Sequence, residues 1–407
     1  MHFLLIHQSF ATPNEPGGTR HFELARGAVE RGHEFTVIAS EISYLTGQST
    51  SGETGSKDDA TIEGVRVVRA FTPPTFDGSF AGRLFSFIGF AASSMIKALR
   101  IGNVDVVMGT SPPIFQAVSA WLVSAMRRRP FLLEVRDLWP EFVIDMGLLK
   151  NGFLIGASRR LEKFLYTRAD HIQVNSPAYV DYLIEKGVAP DKITLLPNGV
   201  DPTMFDPSSD GNGVRARLKL DGKFVVVYAG AMGPANDLDL LLDAAEELKP
   251  DSRICFLIVG DGKERKRLQA AAEARRLANL RFAGAQPKRE MRSFLATADA
   301  CVAVLQNIPM FRMTYPNKVF DYMAAGRPVV LAIDGVIRDV VETAGAGIYT
   351  APGDAKSLAD AIRFLACHQP EREQMSRNGR SFVERHFNRS KQSQQFVELL
   401  QRLATNG

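Results

Sequence analysis

A chain of 407 residues has room for two domains of ordinary size, each with its own core. Hydrophobic residues at 45% and charged residues at 23% are those of a soluble globular protein, and a net charge of +4 carries no nucleic-acid signature. Cys255, Cys301 and Cys367 lie far apart without metal-ligand spacing; the first two sit in apolar runs, as reduced core residues in a cytoplasm do. Residues 1–10 lack the basic start and cleavage site of a signal peptide, and no run of about 20 apolar residues suggests a transmembrane helix.

In chain order, HFLLIH (2–7) reads as a buried strand. A turn-rich loop with Gly17-Gly18 follows, then a helix capped near Thr19 and ended by Gly32-His33, then the strand EFTVIA (34–39). This is a βαβ unit, and its glycines let backbone approach a ligand at the carboxyl end of the sheet. They do not form G-x-G-x-x-G, so a nicotinamide fingerprint is missing. Arg20 opposes the helix dipole in the first turn, which favours a ligand-facing role. Residues 46–60 are rich in Gly, Ser, Thr, Asp and Lys and read as mobile. From 71 to 99 the chain carries Phe71, Phe76, Phe80, Phe85, Phe87 and Phe90, with Arg83, Lys97 and Arg100 between or just after them. The helix expected over 84–99 is either an interfacial membrane patch beside an acceptor site or an internal helix of the sheet layer. Arg127, Arg128 and Arg129 add an anionic-lipid contact or are simply solvated.

DVVM (105–108) and PFLLEV (130–135) are the next strands, and RDLWPE (136–141) leaves the carboxyl end of the second. Arg136, Asp137 and Glu141 either pair with one another or meet a sugar. A helix over 152–168, a strand at 171–174, a helix at 177–186 and a strand at 193–196 follow. PNGVD (197–201) is a turn, and 206–213 is a linker. The alternation then restarts. A strand at 224–229 leads into a glycine-containing loop and a helix from Asp237. A strand at 255–259 leads into Gly260-Asp261-Gly262 and a basic helix from Lys263. Asp237 and Asp239 have a spacing that can hold a divalent metal, but an N-cap and a first-turn carboxylate explain them better. Two long helices close the chain, the second broken near FNR (387–389). Strands and helices alternating in both halves mean two doubly wound parallel-sheet α/β domains, with the cleft between them as the default ligand site.

The stretch MTYPNKVFDYMAAGRPVV (313–330) is a loop, a short helix capped by Asn317 and stopped by Gly326, and a buried strand. Free N–H groups at the helix start with Lys318 beside them suit a phosphate, and Asp321 one turn on suits sugar hydroxyls. A solvated Lys and Asp on a surface helix is the plainer reading.

Four stretches resemble the GT-B glycosyltransferases, specifically the retaining glycosyltransferase family 4. PGGTRH (16–21) with 25–33 is similar to the acceptor-side glycine loop. PNGVD (197–201) with Phe205 and Pro207 resembles the signature before the linker. VYAG (227–230) and VGDG (259–262) resemble the two strand-to-glycine turns. FDYMAAGRPV (320–329) resembles the nucleotide-holding helix. SPP (111–113) and EVRDLWPE (134–141) are similar to a bacterial subgroup that builds surface polysaccharide on polyprenyl diphosphate and includes fucosamine transferases.

The resemblance implies a GT-B fold of two Rossmann-like domains facing across a cleft. An acceptor domain would span 1–205 and a nucleotide-sugar domain 206–386, with a helix at 387–407 crossing back to the first. It implies transfer from a nucleotide sugar, UDP-linked, with an N-acetylated amino sugar as one candidate for the group moved, to a lipid-linked saccharide at the inner face of the cytoplasmic membrane. No metal or other cofactor and no nucleic acid are implied. A soluble small acceptor, or a sugar-nucleotide-binding protein without catalysis, are the alternatives. The implied donor residues are Gly18, Gly230, Gly262, Lys263, Pro316, Asn317, Lys318, Val319 and Asp321, and the acceptor residues Arg20, His21, Asp137 and Glu141. Lys318 and Asp137 are the catalytic candidates. The family's pair of glutamates falls on Met313 and Asp321, and its basic pair after the first glycine turn is missing from 232–237. Lys318 therefore becomes the main diphosphate cation, with Arg20 and Lys263 as weaker additions.

Overall fold

The computed structural model describes residues 1–43, 47, 49, 59–74 and 80–406. Most of the 46–60 segment, and Phe76, lie outside the described residues. The chain forms two compact units. The first comprises Met1–Ala11, Thr19–Pro197 and Ser390–Gly407, and the second Thr12–Gly18 and Asn198–Arg389.

Among the described residues the first unit holds an eight-stranded sheet. Its strands are β1 (His2–Ile6), β2 (Glu34–Ser40), β3 (Asp59–Ile62), β4 (Val65–Ala70), β5 (Val106–Ser111), β6 (Phe131–Val135), β7 (His171–Val174) and β8 (Ile193–Leu195). The order is β3-β4-β2-β1-β5-β6-β7-β8, parallel except for the β3–β4 edge pair. Continuous burial of β1, β5 and β6 follows from helices covering both faces, and explains why these strands read as unbroken apolar runs. The edge strand β3 is half-exposed and polar, and carries no such signal. The C-terminal helix Arg389–Asn406 packs Phe396, Val397, Leu399 and Leu400 into the same cluster as Phe3, Leu5 and Phe22. The preceding helix, Gln369–His386, ends at Phe387, where the sequence suggested a break.

The second unit is a six-stranded parallel sheet. Its strands are β9 (Phe224–Ala229), β10 (Ile254–Val259), β11 (Leu280–Gly284), β12 (Ala300–Val304), β13 (Val329–Ala332) and β14 (Gly347–Tyr349), ordered β11-β10-β9-β12-β13-β14. From β9 the chain winds outward through β10 and β11, then returns to the other side of β9 with β12. The carboxyl ends of β9 and β12 therefore flank a topological switch point, where an open α/β sheet leaves a crevice between diverging loops.

Candidate active site

Three segments meet at that switch point. Val304 ends β12, and the chain passes through a short 3-10 helix, Pro309–Met313, into the helix Asn317–Ala324. The N-cap is Pro316, in an extended conformation; Asn317 is the first helical residue and caps nothing. Its Oδ1 is buried without a hydrogen-bond partner. The N–H of Val319 donates to the Pro316 carbonyl at 3.2 Å, and the Val319 side chain is fully buried. The first-turn donors left are thus the N–H groups of Asn317 and Lys318, and Val319 serves the core rather than a ligand.

Lys318 Nζ donates to Asn236 Oδ1 at 2.8 Å and to the Tyr228 hydroxyl at 3.0 Å, and lies 4.4 Å from the Tyr228 ring centroid. Among the described residues no carboxylate lies within ion-pair distance of it. Burial without a counter-charge pushes the ammonium down to about 7. The space it occupies exists because residue 230 is glycine: a Cβ there would stand 3.1 Å from Nζ. Gly260 and Gly262 have another purpose. Both have positive φ, and a Cβ would meet the Gly230 carbonyl oxygen at 1.9 Å and the Met232 carbonyl oxygen at 2.5 Å. They let the two strand-to-glycine turns pack on each other, so the need for glycine at 262 is set by this packing. Asp321, three residues after Lys318, receives Lys288 Nζ on Oδ2 at 2.5 Å.

In the first unit a buried cluster lies at the carboxyl ends of β1, β5 and β6. Glu134 is fully buried and accepts from Arg20 Nε at 3.2 Å and Nη2 at 3.1 Å, from Gln173 Nε2 at 2.9 Å, and pairs with His21 Nε2. Burial opposes its ionisation, but the charges of His21, Arg20 and Arg136 outweigh it and hold the carboxyl well below its usual range. Arg20 also donates to the carbonyls of Leu196 and Pro197. His7 lies against His21 with ring centroids 4.3 Å apart, and burial first, then His21 and Arg136, hold it neutral. Nearby in sequence, Asp137 is half-buried, and among the described residues no side chain hydrogen-bonds its carboxylate. Burial pushes it up to about 6 against the opposing charge of Arg136.

The family comparisons are consistent with both halves. Residues 17–199 match the description "Glycosyl transferase 4-like domain" and residues 214–382 match "Glycosyl transferases group 1". The chain is 25% identical over 357 residues to a chain of Escherichia coli (strain K12) assigned as the colanic acid biosynthesis glycosyl transferase WcaI, covering 84% of this chain and 86% of that one. It is 27% identical over 349 residues to a GDP-mannose-dependent alpha-mannosyltransferase of Mycobacterium tuberculosis, covering 84% and 81%. The Anabaena protein HepE, solved in complex with UDP and glucose, superposes with a TM-score of 0.76 at 20% identity over 99% of this chain and 100% of that one. The chain is a GT-B glycosyltransferase.

Several residues expected to contact substrate in this glycosyltransferase have other tasks. Arg20 and His21 are engaged by Glu134, and Arg20 also by main-chain carbonyls, so Arg20 acts as a buried clamp between strand ends. Glu141 is gripped by Arg159 Nε and Nη2 at 2.8 and 2.9 Å, with Lys186 at 3.5 Å. It pairs with neither Arg136 nor Asp137; Arg136 donates to the Pro112 carbonyl. Lys263 is exposed and precedes its helix, which begins at Arg265. Asp237 is no N-cap: it adopts a left-handed conformation, and the helix begins at Asp239 after Leu238. Arg267 holds Asp239 with both Nη atoms, at 2.9 and 2.7 Å, which argues against the metal reading. Gly18 is exposed, and a Cβ there would meet nothing. The sequence reading missed Tyr228, Asn236, Lys288 and the role of Glu134. The one available signal was Asn236 itself, an amide where the family's basic residue is missing.

Proposed function

We propose that this glycosyltransferase moves a sugar from a UDP-linked donor to a polyprenyl-diphosphate-linked saccharide in surface polysaccharide assembly. The observation that carries the reading is Lys318. Its ammonium is enclosed, at the start of a helix at the sheet's switch point, and held by two neutral groups. An ammonium placed so costs the fold free energy unless an anion joins it. A nucleoside diphosphate supplies that anion. As the glycosidic bond breaks, charge grows on the leaving phosphate, and Lys318 with the Asn317 and Lys318 N–H groups stabilises it. No metal is required by this arrangement. In the retaining course the acceptor hydroxyl attacks on the face the diphosphate leaves and the phosphate takes its proton, so no carboxylate nucleophile is assigned. Asp137 orients a sugar hydroxyl.

The WcaI likeness supports a polysaccharide product, and the subgroup resemblance makes an N-acetylated amino sugar one candidate for the sugar moved. A UDP-bound structural neighbour supports the base; the GDP-mannose-dependent relative makes GDP the outcome to test against. For the lipid-linked acceptor, the helix Phe80–Leu99 is informative. It buries Phe90 but leaves Phe85 66%, Ile88 49% and Ile96 52% exposed, with Phe71 at 58%. An outward apolar strip on one helix suits contact with the inner face of the cytoplasmic membrane. Sedimentation with anionic vesicles checks this, and loss of that binding in F85S/I88S is the expected result.

Thermal shift with UDP, GDP and their sugars, with and without EDTA, tests the donor site. Stabilisation that survives EDTA is expected. K318M should abolish it and lower transfer on the order of a hundredfold or more, while the protein remains folded by circular dichroism. Affinity in the parent protein should weaken as pH rises above about 7, where Lys318 loses its proton, and this dependence should vanish in K318M. Nucleotide binding without transfer to any acceptor would mark a non-catalytic binder, the outcome that Met313 in place of a carboxylate favours.

A further inference from the structure

The steps above leave His7 unused, although it stands at the switch point of the first sheet. From β1 the chain winds outward through β2 and β4, then returns to the other side of β1 with β5. The crevice of that sheet therefore opens at the carboxyl ends of β1 and β5. His7 follows β1 directly, one step beyond the Ile6–Gly109 register pair, and its side chain meets that of Thr110 on β5. The hydrogens of this contact follow from one unambiguous donor. The Gln8 N–H donates to Gln116 Oε1 at 2.6 Å. Gln116 Nε2 lies 2.9 Å from the Thr110 carbonyl, 3.2 Å from the Pro112 carbonyl and 2.7 Å from Thr110 Oγ1. These contacts orient the Gln116 amide one way round. The fully buried Thr110 hydroxyl then faces an amide nitrogen, which cannot accept, and His7 Nδ1 at 2.9 Å. It donates to Nδ1, since its own hydrogen would otherwise be buried without a partner. Burial keeps His7 neutral, so its one ring proton sits on Nε2. The residue is only 1% exposed, and among the described residues nothing accepts from Nε2. A buried N–H without an acceptor costs about 1–3 kcal/mol, and one left so at a switch point is a group that a ligand completes.

We propose that His7 is a further substrate-binding residue, whose Nε2–H donates to an oxygen of the acceptor saccharide. This rests on the transferase reading above, in which Lys318 of the second unit takes the donor diphosphate. Thr110 occupies the Nδ1 lone pair and Nε2 carries the proton, so the imidazole donates and has no lone pair free to serve as a base. Asp137, two residues after β6 at the same edge of the sheet, offers acceptors instead. A saccharide presents both kinds of group, and a donor and an acceptor at one edge together fix its orientation.

The test uses the full chain, with a UDP-sugar as donor and a short polyprenyl diphosphate bearing one sugar as acceptor. Nitrogen NMR of the histidine-labelled parent should show His7 protonated on Nε2 and bare on Nδ1, with the Nε2 resonance moving when acceptor is added. The opposite tautomer, or a resonance that stays put while acceptor is turned over, would overturn the inference without any variant. Among variants, H7Q keeps an amide donor near the Nε2 position, whereas H7N reaches only the Nδ1 position. H7N should raise the acceptor KM on the order of tenfold, with UDP affinity by calorimetry unchanged, and H7Q should recover most of that loss. A parental acceptor KM in H7N would overturn the contact. An equal loss in H7Q and H7N would assign His7 to packing and overturn it as well. Weakened UDP-sugar binding with the acceptor KM unmoved would put Nε2–H on the donor and overturn the acceptor assignment. No transfer by the parent, with UDP still bound, would overturn the acceptor proposed above and this inference with it.

Discussion

Asp137 and Glu134 are three residues apart and carry opposite perturbations. Glu134 is surrounded by donors and charge and stays ionised; Asp137 has lost water without gaining donors. A group that is expensive to ionise in the folded protein and is not tied up structurally is the kind that substrate engages. The pH consequence has a definite sign. The folded carboxyl titrates at about 6 against an ordinary 3.8. The folded state therefore holds a proton that the unfolded chain has already lost between those values. Its contribution to stability is present below about 3.8 and is lost as pH rises through 6. D137N should then be more stable than the parent at pH 7 to 8, by about 1–3 kcal/mol, and equal to it near pH 3, by chemical denaturation. Turnover should fall in the same variant. A gain in stability paired with a loss of activity would separate a substrate-facing carboxylate from a structural one.

The glycines after β9 and β10 do two different jobs, and substitution separates them. G260A places a methyl 1.9 Å from a main-chain oxygen at a φ of +141°, where neither partner can move. It should cost about 2 kcal/mol or more, read as a lowered denaturation midpoint. The nearest atoms to the added methyl in G230A are the end of the Lys318 side chain and the Tyr228 hydroxyl, at 3.1 to 3.2 Å. It should leave the midpoint nearly unchanged and weaken nucleotide binding, because Lys318 must shift. The helix Asn317–Ala324 was legible in the sequence through its flanking Pro316 and Gly326, which bound it. Its cap was misread, because Asn at the first helical position and Asn at the cap differ only in backbone angles. The edge strand β3 and the short helix Glu141–Asp145 were not legible, since half-exposed elements this small leave no periodic pattern.

Each unit has its own buried core, and the last helix belongs to the first unit, nearly two hundred positions after that unit's last strand. Phe396 is 1% exposed and lies 6.2 Å from the Phe35 ring centroid. F396A should destabilise the first unit by about 3–5 kcal/mol while nucleotide binding, which the proposed function assigns to Lys318 of the second unit, persists under native conditions. A two-step denaturation profile in which only one step moves would show this. The alternation of apolar runs with amphipathic stretches determined the class of both sheets, because hydrophobic periodicity is local and strong. Ordered motifs determined the family, and Lys318 stood out because a cation beside a helix start needs only neighbours in sequence. What the tertiary structure alone decided were the partners. That Arg20 and His21 meet Glu134, that Glu141 meets Arg159, and that Asp321 meets Lys288 depends on which strand ends lie side by side. A charge in a sequence has no fixed partner until the fold brings one within reach, and that pairing separates a clamp from a ligand site.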